Sequence, residues 1–301
     1  MKIAAIDIGS NAARMQISKV LENDGQISFK KVEYVRFALR LGHDVFNEGE
    51  ISPESEVRIF KLLNAYKLLM DLHEVKDYLI CATSAMREAG NSAAVITRIH
   101  QILDMKIHII EGTKEAELIN DVVVQALDNA NYLHIDVGGG STELNIYVNR
   151  EKIASRSFKI GSVRTLENKE KEGDWEKMKK WIASNIDVKT ANLTAVGTGG
   201  NISKLFNISP NHEGETSMTY EELKRLKEYV ESFTLEERIN KLRLNADRAD
   251  VIVPAAQIYL SAMRWAGATT ILVPDLGLKD GIIKMVYEKV QNRKKQIQLN
   301  L

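Results

Sequence analysis

The sequence predicts an α/β protein built from two related domains. The first observation is an internal repeat, because AAIDIGSNAARMQI (4–17) aligns without a gap on LHIDVGGGSTELNI (133–146). The second is that helical patterns alternate with strand patterns after each copy. The third is length, since 301 residues are enough for two hydrophobic cores. We therefore predict one domain over 1–120 and another over 121–283, with a helix over about 284–301 that packs back on the first.

The first half of the chain alternates strand patterns with helical ones. Short runs rich in β-branched residues predict strands over residues 2–7, 15–21, 27–36, 77–82 and 107–110. Apolar residues at helical spacing predict helices over residues 52–72, 91–103 and 113–127. Pro53 suits the start of the first helix.

The second half begins again with the same order of elements. Strands are predicted over residues 132–136, 144–149, 152–160, 193–197 and 270–274. Helices are predicted over residues 174–186, 202–206, 220–232, 235–241, 248–265 and 279–291. The polar stretch 207–217 predicts a surface loop, and we expect the tail 292–301 to be mobile. The repeat therefore predicts two homologous domains with a cleft between them.

Composition narrows the class of protein. Lys+Arg and Asp+Glu both number 41, and this zero net charge argues against a dedicated nucleic-acid binder. Cys81 is the single cysteine, which excludes an intrachain disulfide and a cysteine-based zinc site. The sequence shows neither signal-peptide flanks nor an apolar run of the ~20 residues that a membrane helix needs. We expect a cytoplasmic protein with neither a membrane nor a specific nucleic acid as partner.

Each copy of the repeat ends an apolar strand in an aspartate, Asp7 or Asp136, and continues into small residues. This pattern predicts a tight hairpin turn that offers backbone N–H groups to a ligand. Hard carboxylate oxygens suit Mg²⁺, so both aspartates are candidate metal ligands. One such turn is commonplace in proteins, and it is the repetition that indicates a function. The candidate phosphate-binding residues are Gly9, Ser10, Asn11 and Arg14 in the first copy and Gly138, Gly139, Gly140, Ser141 and Thr142 in the second.

Three further segments follow predicted strands, where open α/β sheets place their ligand sites. Arg87 either clamps a phosphate with its planar guanidinium or is a solvated residue in the first turn of a helix that Ser84 caps. Glu115 falls in a first helical turn, where an acid either complements the helix dipole or deprotonates a water. The third segment is a glycine-rich turn into a helix, which favours a bound anion, and its residues are Gly197, Thr198, Gly199 and Gly200.

A set of short motifs carries a family resemblance. They are DIGSN (7–11), TSAMRE (83–88), GTKEA (112–116), DVGGGSTE (136–143), GTGGN (197–201), RADVIVP (248–254) and GLKDG (277–281). In this order they resemble the exopolyphosphatase/guanosine pentaphosphate phosphohydrolase (Ppx/GppA) family, in its short form, over nearly the whole chain. The resemblance implies an α/β fold with two ribonuclease-H-like domains of the actin/sugar-kinase/Hsp70 superfamily, flanking a cleft.

The resemblance also implies roles for individual residues. Glu115 matches the catalytic base of the family, and this match alone favours it over Glu117. Glu143 and Asp136 match acidic residues that organise metal and water, and the implied cofactor is Mg²⁺ or another divalent cation. Arg87 matches an arginine that contacts the phosphate chain. One departure is Lys114, which stands where the family usually has an acid, and another is the pair Ala12-Ala13 in the first turn.

Together these features predict a hydrolase that releases the terminal phosphate of inorganic polyphosphate or pppGpp. Its expected partner is a small or polymeric phosphoanhydride, and a homodimer is compatible with the sequence. One alternative is a phosphotransferase of the same superfamily, which needs an adenosine pocket and an acceptor site. The other is a non-enzymatic sensor that binds polyphosphate or guanosine tetra- and pentaphosphate.

Overall fold

The computed structural model describes residues 1–186, 193–209 and 216–299. The chain forms two compact units, which we call unit 1 (Met1–Val122 with Gly277–Leu301) and unit 2 (Val123–Leu276). Each unit combines a mixed β-sheet with helices, so the predicted α/β class with two ribonuclease-H-like domains is confirmed.

The elements of unit 1 follow one another in the order that the strand and helix patterns indicate. They are β1 (Lys2–Ile8), β2 (Ala13–Asn23), β3 (Gln26–Phe37), α1 (Leu41–Glu48), α2 (Pro53–Leu72), β4 (Tyr78–Ala82), α3 (Ser84–Glu88), α4 (Ser92–Leu103), β5 (Ile107–Ile109) and α5 (Gly112–Val123). A short 3₁₀ helix, Val124–Ala126, follows α5.

Unit 2 begins with a second strand meander and is richer in helix. Its elements are β6 (Asn131–Val137), β7 (Thr142–Val148), β8 (Glu151–Phe158), α6 (Ser162–Leu166), α7 (Asp174–Asn185), β9 (Thr194–Thr198), α8 (Gly200–Ile208), β10 (Ser217–Thr219), α9 (Tyr220–Glu231), α10 (Leu235–Asn240), α11 (Ala246–Ala249), α12 (Ile252–Ala266) and β11 (Thr270–Leu272). The chain then returns to unit 1 as α13 (Leu278–Leu299).

The two sheets share one topology over the described residues. In unit 1 the strand order is β3-β2-β1-β4-β5, with β1 antiparallel to β2 and parallel to β4. In unit 2 the order is β10-β11-β9-β6-β7-β8, with β6 antiparallel to β7 and parallel to β9. The internal repeat of the sequence is therefore a repeat of sheet architecture, to which β10 adds an edge strand.

Alternation along β1 and β6 separates an apolar face from a polar one. Ile6 and Ile8 belong to the core of unit 1, and Ile135 and Val137 to the core of unit 2. Successive side chains of a strand point to opposite faces, so Asp7 and Asp136 lie on the other face of each sheet. The alternation along each strand therefore determines which residues join the core and places the aspartate on the opposite face of the sheet.

Local sequence explains where several helices begin. Ser52 caps α2 by accepting a hydrogen bond from the N–H of Ser55, and Pro53 occupies the first helical position. Thr219 and Thr234 each form a capping box with a glutamate three residues later, at the starts of α9 and α10. Each of these caps satisfies N–H groups that the helix itself leaves unbonded.

The structure corrects several predicted boundaries. The helix predicted over 248–265 is two helices, α11 and α12, and Pro254 lies in the first turn of α12, where a missing N–H costs no helical bond. The short helices α1 and α6 and the strand β10 were not predicted, because they are too short to show a hydrophobic period. α3 occurs where one interpretation of the sequence has a helix, although its N-cap residue is Thr83 and not Ser84. In the stretch 207–217, predicted as a loop, α8 reaches Ile208 and β10 begins at Ser217, while residues 210–215 lie outside the described residues.

The tail 292–301, which the sequence predicts to be mobile, is helical over its described residues. α13 continues to Leu299, and residues 300 and 301 lie outside the description. Asp77, just before β4, accepts a hydrogen bond from Lys289 at 2.9 Å and from Arg293 at 3.0 Å. These contacts hold the helix on unit 1 across a sequence separation of 212 residues or more. Among the described residues, no helix has the length and apolarity needed to cross a bilayer.

Cys81 in β4 offers a chemical probe of unit 1. Its side chain is fully buried, and burial raises the pKa of the thiol to about 12. Because the thiolate is the reactive form, we expect Ellman's reagent to leave Cys81 unmodified in the native protein at pH 8. In denaturing urea the same thiol is expected to react within seconds. Rapid modification of the folded protein would show that β4 opens locally.

Candidate functional site

The two copies of the repeat fold into hairpins with the same turn geometry. In each, a short loop joins the paired strands, β1 to β2 and β6 to β7. The N–H of Gly9 donates to the carbonyl of Ala12 at 3.1 Å, and that of Gly138 donates to Ser141 at 2.9 Å. A Cβ on either glycine would lie 3.2 Å from the accepting carbonyl. Residues that align in the two copies of the repeat therefore also form equivalent hydrogen bonds.

The first loop is held by residues at the starts of α1 and α3. The carbonyl of Asn11 accepts from the N–H of Arg40 at 2.8 Å, and that of Ser10 accepts from Gly42 at 2.7 Å. The hydroxyls of Ser10 and Ser84 form a buried hydrogen bond of 2.9 Å. These bonds fix the loop in place. The phosphate contacts predicted for Gly9, Ser10, Asn11 and Arg14 stay predictions.

The second loop is held by α6 through the carbonyls of its three glycines. Gly138 accepts from the N–H of Ser162 at 2.9 Å, Gly139 from that of Val163 at 2.8 Å, and Gly140 from Nε of Arg164 at 2.8 Å. Carbonyl oxygens repel an anion, and here they are bonded to α6. The geometry suits a loop that presents its amide groups to phosphate, as the sequence predicts for Gly138 to Thr142.

The residue opposite each aspartate distinguishes the two hairpins. In unit 1 Asp7 lies directly opposite Arg14, and Nη1 of Arg14 donates to Oδ2 of Asp7 at 2.7 Å. In unit 2 the same register places Glu143 directly opposite Asp136. Unit 1 therefore neutralises its buried carboxylate with its own cation, whereas unit 2 sets a second carboxylate against the first.

The Asp7–Arg14 pair leads to a stability prediction. Burial raises the pKa of Asp7, and the neighbouring Arg14 opposes that shift. Arg14→Met leaves the carboxylate buried without this partner, so we expect the free energy of unfolding to fall by about 2 to 3 kcal/mol in urea titrations. The double variant Asp7→Asn/Arg14→Met removes the charge as well and is expected to recover at least half of the loss. Equal losses in both variants would contradict this account.

The carboxylates of unit 2 fit a divalent cation. One oxygen of Asp136 and one of Glu143 lie within 4.8 Å of each other, and the side chains are 8% and 0% exposed. Like charges directly opposite on paired strands are destabilising, and burial increases the cost. Ser157 donates to Oε1 of Glu143 at 2.8 Å, and Thr198 donates to Oδ1 of Asp136 at 2.7 Å. Hard oxygen donors with excess negative charge are the ligands that Mg²⁺ prefers.

The glycine-rich turn after β9 is built against Asp136. Gly199 has a φ of +108°, and a Cβ there would lie 3.2 Å from Oδ1 of Asp136. The hydroxyl of Tyr259 donates to the carbonyl of Thr198 and accepts from the N–H of Val137 at 3.3 Å. Tyr259 on α12 therefore joins the ends of β6 and β9, and burial raises its pKa well above the usual value, so its proton stays in place.

Other residues of this turn have structural partners. A Cβ on Gly197 would meet Cδ1 of Ile271 at 2.7 Å, so this glycine makes room for side-chain packing. The carbonyl of Gly200, at the start of α8, accepts from Nη1 of Arg248. The hydroxyl of Thr198 is fully buried and bonded to Asp136 and His134. Phosphate binding by Gly197, Thr198, Gly199 and Gly200 stays a prediction.

Glu115 is a buried acid in the first turn of α5. Its side chain is 7% exposed, whereas Lys114 and Glu117 are exposed and pair with each other at 3.1 Å. Burial and, to a smaller extent, the negative charges of Asp7 and Glu115 raise the pKa of the Cys81 thiol. The helix dipole favours an ionised carboxylate in this turn, as a general base requires. Lys114, which stands where the family usually has an acid, therefore forms an exposed ion pair with Glu117.

Arg87 fixes the turn that leads into α5. Its Nη1 donates to the carbonyl of Ile110 at 2.5 Å, and its Nε lies 3.9 Å from a carboxylate oxygen of Glu111. The side chain is 19% exposed, so Arg87 is not the fully solvated residue of the alternative interpretation. A guanidinium carries five N–H donors, which leaves contact with phosphate as a prediction beside this structural role.

The sequence patterns missed several residues that support the site. Gly161 is one, because a Cβ there would lie 2.5 Å from the carbonyl carbon of Gly140. Arg164 is another, a charged residue only 6% exposed in α6. The third is His134, which is fully buried, and burial lowers its pKa to about 3. Clustering of polar residues on alternate positions of β6 and β7 was the signal available for His134.

Fold and site together define a duplicated α/β protein in which one hairpin neutralises its aspartate internally and the other pairs two carboxylates beside a glycine-rich loop. Comparison with known proteins agrees with the resemblance carried by the motifs. The profile of the Ppx/GppA phosphatase family matches residues 20–290, and the chain belongs to this family.

Similar proteins include enzymes of greater length. The bifunctional 3-dehydroquinate synthase/phosphatase of Fusobacterium nucleatum is 29% identical over 316 residues, covering 96% of this chain and 47% of that protein. The guanosine-5'-triphosphate,3'-diphosphate pyrophosphatase of Aliivibrio fischeri is 26% identical over 301 residues, covering 96% and 60%. This chain therefore spans about half the length of these relatives. The crystal structure of an exopolyphosphatase from Cytophaga hutchinsonii has the same fold, with a TM-score of 0.81 at 24% identity, covering 96% of this chain and 98% of that one.

Proposed function

We propose that this chain is a phosphatase that releases the terminal phosphate of a linear phosphoanhydride, inorganic polyphosphate or pppGpp. The observation that carries the proposal is the buried pair Asp136 and Glu143 beside a loop whose glycine carbonyls are bonded to α6. That combination suits a cation and an anion bound side by side. Family membership and the names of the relatives support a phosphatase, and both candidate substrates present the same terminal anhydride.

Each charged residue has a role in this proposal. Asp136 and Glu143 would hold a divalent cation, which would offset negative charge on the phosphoryl group. In unit 2 the backbone N–H groups of Gly138 to Thr142 would hold phosphate oxygens, and in unit 1 the candidate phosphate contacts are residues 9–11 with Arg14 and Arg87. We retain Asp7 as a candidate metal ligand, although its carboxylate already has Arg14 as a partner.

Glu115 would supply the base. It accepts a proton from water as the water oxygen bonds to phosphorus, the terminal P–O anhydride bond breaks, and the shortened chain leaves as a phosphate anion. In this loose transition state, orientation and charge neutralisation contribute more than covalent chemistry by the protein.

The proposal is tested by measuring phosphate release from short-chain polyphosphate, long-chain polyphosphate and pppGpp, with Mg²⁺ and with EDTA. We expect Mg²⁺-dependent release from at least one substrate, and gel electrophoresis should show polyphosphate shortening from its ends. Tight binding of these compounds without release would contradict the proposal and favour a sensor. Transfer of phosphate from ATP to a small acceptor would favour a kinase instead.

A further inference from the structure

A row of polar side chains crosses the sheet of unit 2 directly behind Asp136. His134 lies two residues before Asp136 on β6, and Asn145 on β7 lies directly opposite His134. Ser155 lies opposite Asn145 on β8. His134 and Asn145 are both fully buried, and by strand alternation they point to the face opposite that of the core residues Ile135 and Leu144. Buried polar groups of this kind are retained only when they are hydrogen-bonded.

The hydrogen bonds of this row connect it to Asp136. Nε2 of His134 lies 2.8 Å from the hydroxyl of Thr198, and that hydroxyl donates to Oδ1 of Asp136 at 2.7 Å. Nδ2 of Asn145 lies 3.0 Å from Nδ1 of His134. The hydroxyl of Ser155 donates to Oδ1 of Asn145 at 2.7 Å. The row is therefore one continuous chain of hydrogen bonds that ends on the carboxylate.

Donor and acceptor chemistry gives this chain a single direction. An ionised carboxylate only accepts, so the one hydroxyl proton of Thr198 goes to Asp136. Thr198 must then accept from His134, which places the imidazole proton on Nε2. The Asn145 NH₂ group can only donate, so Nδ1 of His134 carries no proton and accepts. Every proton along the row points toward Asp136, and the imidazole is neutral.

The equivalent positions of unit 1 carry no such row. Ala5 stands where unit 2 has His134, and Gln16 stands where it has Asn145. The methyl group of Ala5 cannot donate a hydrogen bond, and Asp7 accepts one directly from Arg14. The row thus occurs in the unit whose aspartate lacks an arginine directly opposite, which is the unit where we place the cation.

We propose that His134 is a positioning residue that acts through the hydroxyl of Thr198 to hold Asp136 in one rotamer, in which the carboxylate can bind a divalent cation. The inference rests on the proposed function for the presence of that cation. Groups that hydrogen-bond a metal ligand from behind restrict its orientation, and their loss typically weakens metal binding by about 10- to 100-fold.

The test measures Mn²⁺ binding to the full chain by electron paramagnetic resonance, without any substrate. Thr198→Val removes the hydroxyl at nearly constant shape, and we expect Kd to rise about tenfold, while Thr198→Ser keeps the hydroxyl and binds as the native protein does. His134→Leu is expected to give a similar rise, and His134→Gln, whose amide can still donate, to restore binding. Because both residues act in one chain, the double variant His134→Leu/Thr198→Val should bind no more weakly than Thr198→Val.

Two measurements separate positioning from general destabilisation. Ser261→Ala removes another buried hydroxyl of unit 2, which Gln257 contacts at 3.1 Å, and is expected to leave the Mn²⁺ Kd unchanged whatever it does to Tm. Nitrogen-15 NMR of the native protein should show His134 with its proton on Nε2. Equal Kd values across the series, no Mn²⁺ binding by the native protein, or a proton on Nδ1 would each overturn the proposal.

The inference and the proposed function fail in different ways. If Mn²⁺ binding depends on His134 but no substrate releases phosphate, the positioning role is supported and the proposed hydrolase activity is contradicted. If phosphate is released but the Mn²⁺ Kd is the same in the His134 and Thr198 variants as in the native protein, the hydrolase activity is supported and the positioning role is contradicted.

Discussion

Glu115→Gln is expected to lower kcat for phosphate release by about 10²- to 10⁴-fold and to change KM by no more than about twofold. The amide has the shape of the carboxylate and cannot accept a proton from water. The side chain is buried in the first turn of α5, so the substitution leaves the surface of unit 1 unchanged. Initial rates on the best substrate, with binding measured separately by calorimetry, provide the two constants.

Glu117 is the matched control for this experiment. It lies on the same helix, is exposed, and pairs with Lys114 at 3.1 Å. Glu117→Gln should retain the native kcat, because an exposed pair of this kind contributes little to stability. Normal turnover by the Glu115 variant, or loss of turnover only in the Glu117 variant, would show that the base has been assigned to the wrong residue.

Gly161→Ala is expected to disrupt the glycine-rich loop 138–142 although it alters no residue of the loop. A Cβ at position 161 would lie 2.5 Å from the carbonyl carbon of Gly140 and 2.6 Å from the carbonyl of Gly139. These neighbours are backbone atoms, so either the loop or the start of α6 must move. We expect the free energy of unfolding to fall by about 2 to 3 kcal/mol and kcat/KM to fall by at least about tenfold.

Gly90→Ala is the control for the glycine substitution. Gly90 is exposed, and a Cβ there would meet only the carbonyl of Gly49, at the ordinary distance of 3.6 Å. We expect its stability and activity to match those of the native chain. Native kcat/KM in the Gly161 variant would mean that α6 does not set the position of the loop.

The sequence was sufficient for those parts of the site that depend on local pattern. An aspartate after an apolar run marks the end of a buried strand, and this predicted the positions of Asp7 and Asp136. The spacing of the repeat then determined the register, because alternation has a period of two and fixes which side chains share a face. The difference between Arg14 and Glu143 was also visible in the alignment, before their partners were known.

The remaining parts depend on contacts between distant segments. Gly161 belongs to no motif, and its importance comes from the backbone of Gly140, which only the fold brings near. Arg164 has the sequence context of a solvated helix residue, yet its guanidinium is buried against the loop. The end of α13 is determined in the same way, because Asp77 holds it from the other end of the chain.

The hairpin of unit 1 and the hairpin of unit 2 differ in where their counter-charge comes from. Arg14 is encoded in the chain, so its charge is present whatever the solution contains, and chelators cannot remove it. A divalent cation bound by Asp136 and Glu143 would come from solution, and its occupancy would rise and fall with the concentration of the free ion. The two hairpins of one duplicated architecture would thus respond differently to their surroundings: the positive charge opposite Asp7 is permanent, whereas the one bound by Asp136 and Glu143 would follow the concentration of free metal ion.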